Sequence, residues 1–282
     1  MDFTLGKYKL LLQSLLEQVY GFQTFEQFLQ NPSSNVVILR HDVDLKAKNS
    51  LETAKIENSL GIVGSYYFRV IPQSYNLEII KQIAELGHEI GYHYETMDSV
   101  NEKFRINNLK FKDEEERVDE AYNLFCEHLG EFRKWYPVKT ICMHGSPKSA
   151  FDNKDIWKKY DYKQLGIIGE PYFDIDFDKF FYLTDTGRCW NGYRFSVRDK
   201  MPQQESWVKQ GLIFRTTLDI VNAVKAEKLP RQIMITVHPQ RWTNNYLEWF
   251  KELVAQRVKN IVKWGLIRLE HTCLPAGRDN TN

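Results

Sequence analysis

The chain has 282 residues, of which 43% are hydrophobic and 27% charged, and its formal net charge is +1. This composition is that of an ordinary globular protein and argues against a largely disordered chain. Because acidic and basic residues are spread along the sequence, no basic surface predicts a nucleic-acid partner.

The N-terminal segment from Tyr8 to Tyr20 has leucines at helical spacing, interrupted at every turn by polar residues. It predicts an amphipathic helix over 8–20, too polar for the apolar core of a signal peptide or for a membrane span. We therefore expect a cytoplasmic protein. The four cysteines are widely scattered, without CxxC spacing, and are expected to be reduced structural thiols: Cys126, Cys142, Cys189 and Cys273.

Short apolar strands followed by charged amphipathic helices recur along the chain, a pattern typical of parallel βα units. The first unit begins with a strand at 36–39, continues through His41-Asp42-Val43-Asp44, and enters a helix with Asn49 as its predicted cap. Further strands are predicted at 65–69, 88–93, 140–143, 166–169 and 180–183. Helices are predicted at 77–86 and 114–132.

The last part of the chain predicts a helix at 218–226, a strand at 232–237 and a final helix over 243–264. An apolar stripe along the final helix is interpreted as core packing: Leu247, Phe250, Val254, Val258 and Ile261. No internal repeat or long linker interrupts the sequence, and its length suits one α/β barrel. We therefore predict a single domain over 1–282.

Polar residues suited to chemistry recur where the predicted strands end. They are Asp42 and Asp44, His93 and Glu95, His144, Asp185, and His238. Ligand sites in parallel α/β proteins form at the carboxyl ends of the strands. We therefore expect these residues to converge, although they lie far apart in the sequence.

Asp42 and Asp44 are two residues apart, so in an extended segment both carboxylates project to the same side. One can hold a metal while the other accepts a proton from metal-bound water, whose pKa the cation lowers. The alternative for Asp44 is a loop aspartate that caps the following helix. His93 is a candidate nitrogen ligand or a hydrogen-bonded core residue. His238, after an apolar strand, suits a general acid, with a polar strand terminus as the alternative.

The order and spacing of these motifs resemble the polysaccharide deacetylase family, whose NodB-like domains remove N- or O-linked acetyl groups from sugars. The resemblance covers residues 36–240. It implies an α/β fold, a distorted TIM-like barrel of seven or eight βα units, with Asp42 as catalytic base and Asp44 as metal ligand. The segment 86–93, Leu-Gly-His-Glu-Ile-Gly-Tyr-His, is similar to the family's second motif and implies that His93 binds the metal.

The sequence departs from the family's pattern at Met97, four residues after His93, where the family has a second metal-binding histidine. A thioether is a poor ligand for a hard or borderline divalent ion. If a metal binds, we expect its third protein ligand to be His144, which lies at a strand end. Glu95 and Asp98, beside the vacated position, are the alternatives.

Three later motifs of the family have counterparts in the chain. The fifth, an apolar strand followed by a histidine, fits 235–238 and implies that His238 protonates the leaving group. The fourth orients the catalytic base through charged partners, for which Asp185 or Arg188 is the candidate. The segment 143–147 lies in the region of the third motif, which lines the groove, and makes Ser146 a candidate substrate contact.

The expected substrate contacts are His41, Glu95, Ser146, Arg188, Trp190 and Trp242. The two tryptophans could stack on sugar rings, although most aromatic residues of the chain must belong to the core. The resemblance implies a divalent metal, with zinc the first expectation, and a small or nucleotide-linked sugar or an oligosaccharide as substrate. Two alternatives stay open: a degenerate relative that binds a glycan or a protein, and a metal-dependent hydrolase of another C–N or ester bond.

Overall fold

The computed structural model describes residues 1–145, 149, 151–191 and 201–273, with side chains up to residue 261. Within this part of the chain, seven strands form one sheet in which every neighbouring pair is parallel. The strands are β1 (Gly21–Gln23), β2 (Val36–Val43), β3 (Ser65–Phe68), β4 (Glu89–Tyr94), β5 (Ile141–Met143), β6 (Phe181–Thr184) and β7 (Gln232–Val237). Their spatial order is β5-β4-β3-β2-β7-β6, and β1 pairs with the first half of β2.

Helices occupy most connections between the strands, as parallel pairing requires. The α-helices are α1 (Leu5–Glu17), α2 (Phe25–Gln30), α3 (Ala47–Ser59), α4 (Leu77–Glu85), α5 (Thr96–Ile106), α6 (Glu114–Arg133), α7 (Pro171–Asp174), α8 (Gln204–Lys209), α9 (Thr217–Lys225) and α10 (Tyr246–Cys273). Short 3-10 helices occupy Asn153–Lys158, Tyr162–Leu165, Thr186–Arg188 and Pro239–Arg241. In the described part of the chain, no helix combines the length and the hydropathy needed to cross a bilayer.

The central strand β2 is buried along its whole length. Its side chains alternate between the two faces of the sheet, so Arg40 and Asp42 lie on one face and His41 lies on the other. The register places Arg40 beside Ser65 of β3 and Thr236 of β7. One face of the sheet, here called the polar face, is therefore lined by side chains that can hydrogen-bond.

The sheet curls around its polar face. The Arg40 guanidinium lies 5.2 Å from the ring centroid of Tyr172 and 6.0 Å from that of Tyr182. Tyr182 belongs to the edge strand β6, whereas Tyr172 follows Gly169, which bridges to Thr140 beside the other edge strand, β5. One central side chain thus reaches toward both edges, as in an incompletely closed barrel. The predicted α/β class with a curled parallel sheet is confirmed.

Gly91 in β4 leaves room for the Tyr67 ring, which lies beside it on β3. A Cβ at position 91 would overlap that ring and come within 3.0 Å of the Thr140 carbonyl oxygen. We expect Gly91→Ala to lower the free energy of unfolding by about 1–3 kcal/mol, the usual cost of overpacking. The matched control is Gly130→Ala in α6, where the added Cβ meets nothing within 4 Å.

Alanine at position 130 should raise the free energy of unfolding by about 0.5–1 kcal/mol, because a helix interior favours it over glycine. Urea unfolding of both variants measures the two effects. Shifts of the same sign would contradict the packing account of Gly91.

Several predicted elements have different ends in the structure. The N-terminal helix spans Leu5–Glu17 rather than 8–20. The predicted cap at Asn49 is wrong, because α3 already begins at Ala47, with Lys46 at the cap position. The Asn49 amide instead donates a hydrogen bond to the carbonyl oxygen of Trp242, at 3.2 Å. Asn49 therefore ties α3 to the segment that follows β7.

The interpretation of the C-terminal apolar stripe as core packing is also wrong. All five of its residues are at least 45% exposed: Leu247, Phe250, Val254, Val258 and Ile261. A different side of α10 faces the rest of the protein. There Trp249 donates to the Asp2 carbonyl oxygen at 2.6 Å, and Asn260 donates to the Gly187 carbonyl oxygen at 2.8 Å. These polar contacts decide which side of the helix packs.

Candidate metal centre

Three of the predicted strand-end residues meet at one end of the polar face. Asp44 follows β2, His93 lies in β4, and His144 follows β5. Asp44 Oδ1 is 3.2 Å from His144 Nδ1 and 3.6 Å from His93 Nε2, and these two nitrogens are 3.3 Å apart. The His144 amide donates to the Tyr94 carbonyl oxygen at 2.8 Å. That bond continues the β4–β5 ladder one residue past β5 and holds His144 beside His93.

The donor atoms of these three residues are arranged as a metal would need them. His93 Nδ1 lies 2.9 Å from the Cys142 carbonyl oxygen, so it carries the proton and leaves the Nε2 lone pair facing the cluster. Asp44 Oδ1 is buried and accepts no hydrogen bond from the described residues, which is unusual for a buried carboxylate oxygen. The three ligand atoms lie within 4.8 Å of one another. One carboxylate and two imidazoles fit zinc or a similar divalent ion.

Asp42 lies beside this cluster and is held by Arg40. The guanidinium donates from Nε to Asp42 Oδ1 at 2.9 Å and from Nη2 to Oδ2 at 2.6 Å. Burial by itself would raise the pKa of Asp42, but the positive charge of Arg40, with a further contribution from His93, outweighs it and lowers the pKa to about 2. Asp42 is therefore ionised at neutral pH and fixed in orientation.

His238 also lies beside the cluster, with Nε2 3.9 Å from Asp44 Oδ2. Its Nδ1 is 2.5 Å from Asp185 Oδ1. Asp185 also accepts hydrogen bonds from Arg241 Nη1 and Trp242 Nε1, each at 2.7 Å. The sequence predicts that Asp185 or Arg188 orients the base, but the structure pairs Asp185 with His238, while Arg40 holds Asp42.

Because Asp185 is held in its ionised form, we expect the free energy of unfolding to fall in acid. Burial by itself would raise its pKa, but Arg241 and His238 outweigh burial and hold the pKa below the ordinary value of 3.8. The stabilising contribution of this carboxylate is therefore complete above that value and is lost as the pH falls through the lower pKa of the folded state.

We expect Asp185→Asn to lower the free energy of unfolding at neutral pH by about 3–5 kcal/mol, because Arg241 is left buried without its partner. The difference from the wild type should shrink as the pH falls below the ordinary carboxyl pKa of 3.8 toward the lower pKa of Asp185 in the folded state. Urea unfolding across this pH range measures it. A difference that does not change with pH would contradict the role of the charge.

The other residues near the vacated second-histidine position do not join the cluster. Glu95 pairs with Arg69 through two hydrogen bonds of 2.9 and 2.6 Å, and its Oε2 lies 3.9 Å from His144 Nε2. Asp98 accepts a hydrogen bond from Asn153 at 2.9 Å. Met97 is fully buried in the apolar core. Glu95 is therefore a neighbour of His144 that is itself held by Arg69.

His41 lies outside the centre, although the sequence predicts that it contacts substrate. It points to the face of β2 opposite Asp42, where its Nε2 is 3.0 Å from the Tyr8 hydroxyl and 2.9 Å from Glu57 Oε1. Its ring stacks on Tyr66 at 3.9 Å. The alternation of side chains along β2 is the reason, since neighbouring residues face opposite sides.

Three further predicted substrate contacts are packed into the interior. Trp190 and Trp242 are 4% and 1% exposed, and both rings pack around Phe3. Arg188 donates to the Trp249 carbonyl oxygen at 2.8 Å and lies over the Trp249 ring. Their side chains are used in packing and are not available to stack on a sugar. Ser146, the remaining predicted contact, lies outside the described residues.

Two residues at the centre are missing from the predicted set. Arg40 holds Asp42, and the Gln240 amide donates to Asp44 Oδ2 at 3.2 Å. The position of Arg40 could have been predicted from the sequence, because the two-residue spacing that puts Asp42 and Asp44 on one side of an extended segment also applies to Arg40. The position of Gln240 could not, since its approach to Asp44 depends on the turn after β7.

No protein-family model and no curated protein matches the sequence. Among solved structures, the chain is similar to a mutant of a CE4 family pseudoenzyme with restored enzymatic activity. The similarity has a TM-score of 0.36 at 12% sequence identity and covers 83% of this chain. The chain spans 65% of the length of that protein.

Proposed function

We propose that the protein is a metal-assisted hydrolase of the polysaccharide deacetylase type that removes an N- or O-linked acetyl group from a sugar. The observation that carries this proposal is the cluster of Asp44, His93 and His144 with two further groups suited to proton transfer beside it. Asp42 Oδ2 lies 3.9 Å from His93 Nε2, and His238 Nε2 lies 3.9 Å from Asp44 Oδ2.

Asp44, His93 and His144 would hold the divalent ion, with zinc as the expected identity. Such an ion, when bound, polarises a carbonyl group and makes water a stronger acid. The arrangement of the ligands supports this assignment, since His93 Nδ1 is already engaged by the Cys142 carbonyl oxygen. That bond fixes the ring orientation and the tautomer of His93.

Asp42 would accept the proton of the attacking water. Its bidentate pairing with Arg40 keeps the carboxylate ionised and fixed in orientation. The low pKa of about 2 makes it a weaker base than an ordinary aspartate, because Arg40 favours the ionised form. Positioning beside the cluster, with Oδ2 3.9 Å from His93 Nε2, is therefore its main contribution.

His238 would donate a proton from Nε2 to the leaving nitrogen or oxygen. Asp185 fixes the proton on Nδ1 and holds the ring in its orientation. The same pairing leaves Nε2 free of Asp185 and 3.9 Å from Asp44 Oδ2. Acid and base would then be separate groups, both beside the cluster.

The proposal is tested by acetate release from a panel of small, nucleotide-linked and oligomeric acetylated sugars. We expect release that stops when a chelator removes the ion and returns when zinc is added. Ion binding with release of another product would assign the same residues to another C–N or ester bond. Absence of both ion binding and hydrolysis would contradict the proposal and favour a glycan-binding or protein-binding role.

A further inference from the structure

A second group of ligating side chains lies on the polar face below the first. It consists of Asp42, His93 and Cys142, which are 4%, 1% and 0% exposed. One ligand atom from each lies within 4.8 Å of the other two, and Asp42 Oδ2 is 3.9 Å from His93 Nε2. We call this group the inner triad and the group of Asp44, His93 and His144 the outer triad.

The register of the sheet explains why the two triads overlap. Cys142 of β5 is the direct partner of His93 in β4. His144 lies two residues beyond Cys142 and faces the same side. His93 Nδ1 is engaged by the Cys142 carbonyl oxygen, so Nε2 is the nitrogen that both triads share. A single ion can therefore occupy one triad or the other, and two ions cannot use both.

The two triads differ in the chemistry of one ligand. The outer triad offers only oxygen and nitrogen, whereas the inner triad replaces an imidazole with a thiol. Thiolates select soft ions, and carboxylate and imidazole suit harder or borderline ones. We propose that the inner triad is a second ion position, which takes a thiophilic divalent cation such as cadmium and thereby excludes an ion from the outer triad.

Charge and hydrogen bonding permit an ion at the inner triad. Binding displaces the proton of the Cys142 thiol to solvent, so the thiolate and the Asp42 carboxylate together offset two of the three positive charges that the ion and Arg40 carry. Asp42 Oδ2 accepts a hydrogen bond from Arg40 at 2.6 Å. A carboxylate oxygen has a second lone pair, so Asp42 keeps Arg40 while it binds the ion.

Cadmium titration of the metal-free full chain tests the proposal without any substrate, and its result does not depend on the proposed hydrolysis. We expect one equivalent to produce the ultraviolet absorption of a sulfur-to-cadmium charge transfer. Cys142→Ser should abolish that band. The same substitution should weaken cadmium binding by more than roughly 10- to 100-fold. That is the usual loss of affinity when a residue that only hydrogen-bonds to a metal ligand is removed. Cys126→Ser is the matched control and should keep both the band and the affinity.

His144→Ala separates the two triads, because it removes a ligand of the outer triad alone. The cadmium–sulfur band should persist in this variant. Loss of the band in His144→Ala or in Cys126→Ser would overturn the proposal, as would a wild-type protein that binds cadmium without a sulfur ligand. If Cys142→Ser does not fold, cadmium NMR of the wild type decides, since sulfur ligation shifts the resonance strongly from that of nitrogen and oxygen ligands.

Discussion

Asp42→Asn is expected to reduce acetyl hydrolysis by about 10²- to 10⁴-fold, the usual contribution of a positioned proton acceptor. Asparagine has nearly the same shape as aspartate but cannot take up the proton. Because Asp42 is not part of the outer triad, zinc content should stay at the wild-type level. Measurement of kcat/KM on an acetylated sugar, together with elemental analysis of the same preparation, gives both results.

The substitution also removes the negative charge that partners the buried Arg40 guanidinium. Some loss of stability is expected on that account, so circular dichroism must show that the variant is folded at the assay temperature. Asp178→Asn, at an exposed aspartate, is the matched control and should leave hydrolysis unchanged. An Asp42→Asn protein with wild-type kcat/KM would remove Asp42 from the reaction.

His144→Ala is expected to remove zinc from the outer triad and to abolish hydrolysis with it. The outer triad then retains only Asp44 and His93, so zinc that this variant still binds would have to use the inner triad. Isothermal titration of the metal-free protein with zinc measures the loss of affinity. The loss should exceed the roughly 10- to 100-fold that follows removal of a residue that only hydrogen-bonds to a metal ligand. Wild-type affinity in this variant would show that the third ligand lies elsewhere.

Met97→His provides a contrast, because it introduces the histidine that the resemblance to the polysaccharide deacetylases leads one to expect at that position. The Met97 side chain is fully buried in the apolar core. A histidine there should lower the free energy of unfolding by about 1–3 kcal/mol, as a buried polar group without a partner does. Zinc affinity should not increase. A tighter zinc site in Met97→His would instead place that position within reach of the ion.

The clustering of Asp44, His93 and His144 could be predicted from two local rules. Side chains two residues apart on an extended segment share a side, and the carboxyl ends of parallel strands meet at one edge of a sheet. Both rules depend on strand periodicity and on chain direction, which a sequence records. The same alternation along β2 puts His41 on the face of the sheet opposite Asp42. It puts Arg40 on the same face as Asp42.

The partners of each side chain depend on packing between segments that are distant in the chain. Asp185 meets His238 because β6 pairs with β7, and the sequence contains no local sign of that pairing. An aromatic residue such as Trp242 can cover a sugar or fill a core, and only its neighbours distinguish the two. The apolar stripe of α10 likewise shows that the helix has an apolar side, whereas the contacts of Trp249 with the N-terminal segment determine which side faces the protein. Periodicity is a local property of the chain, but burial and pairing are properties of the folded whole.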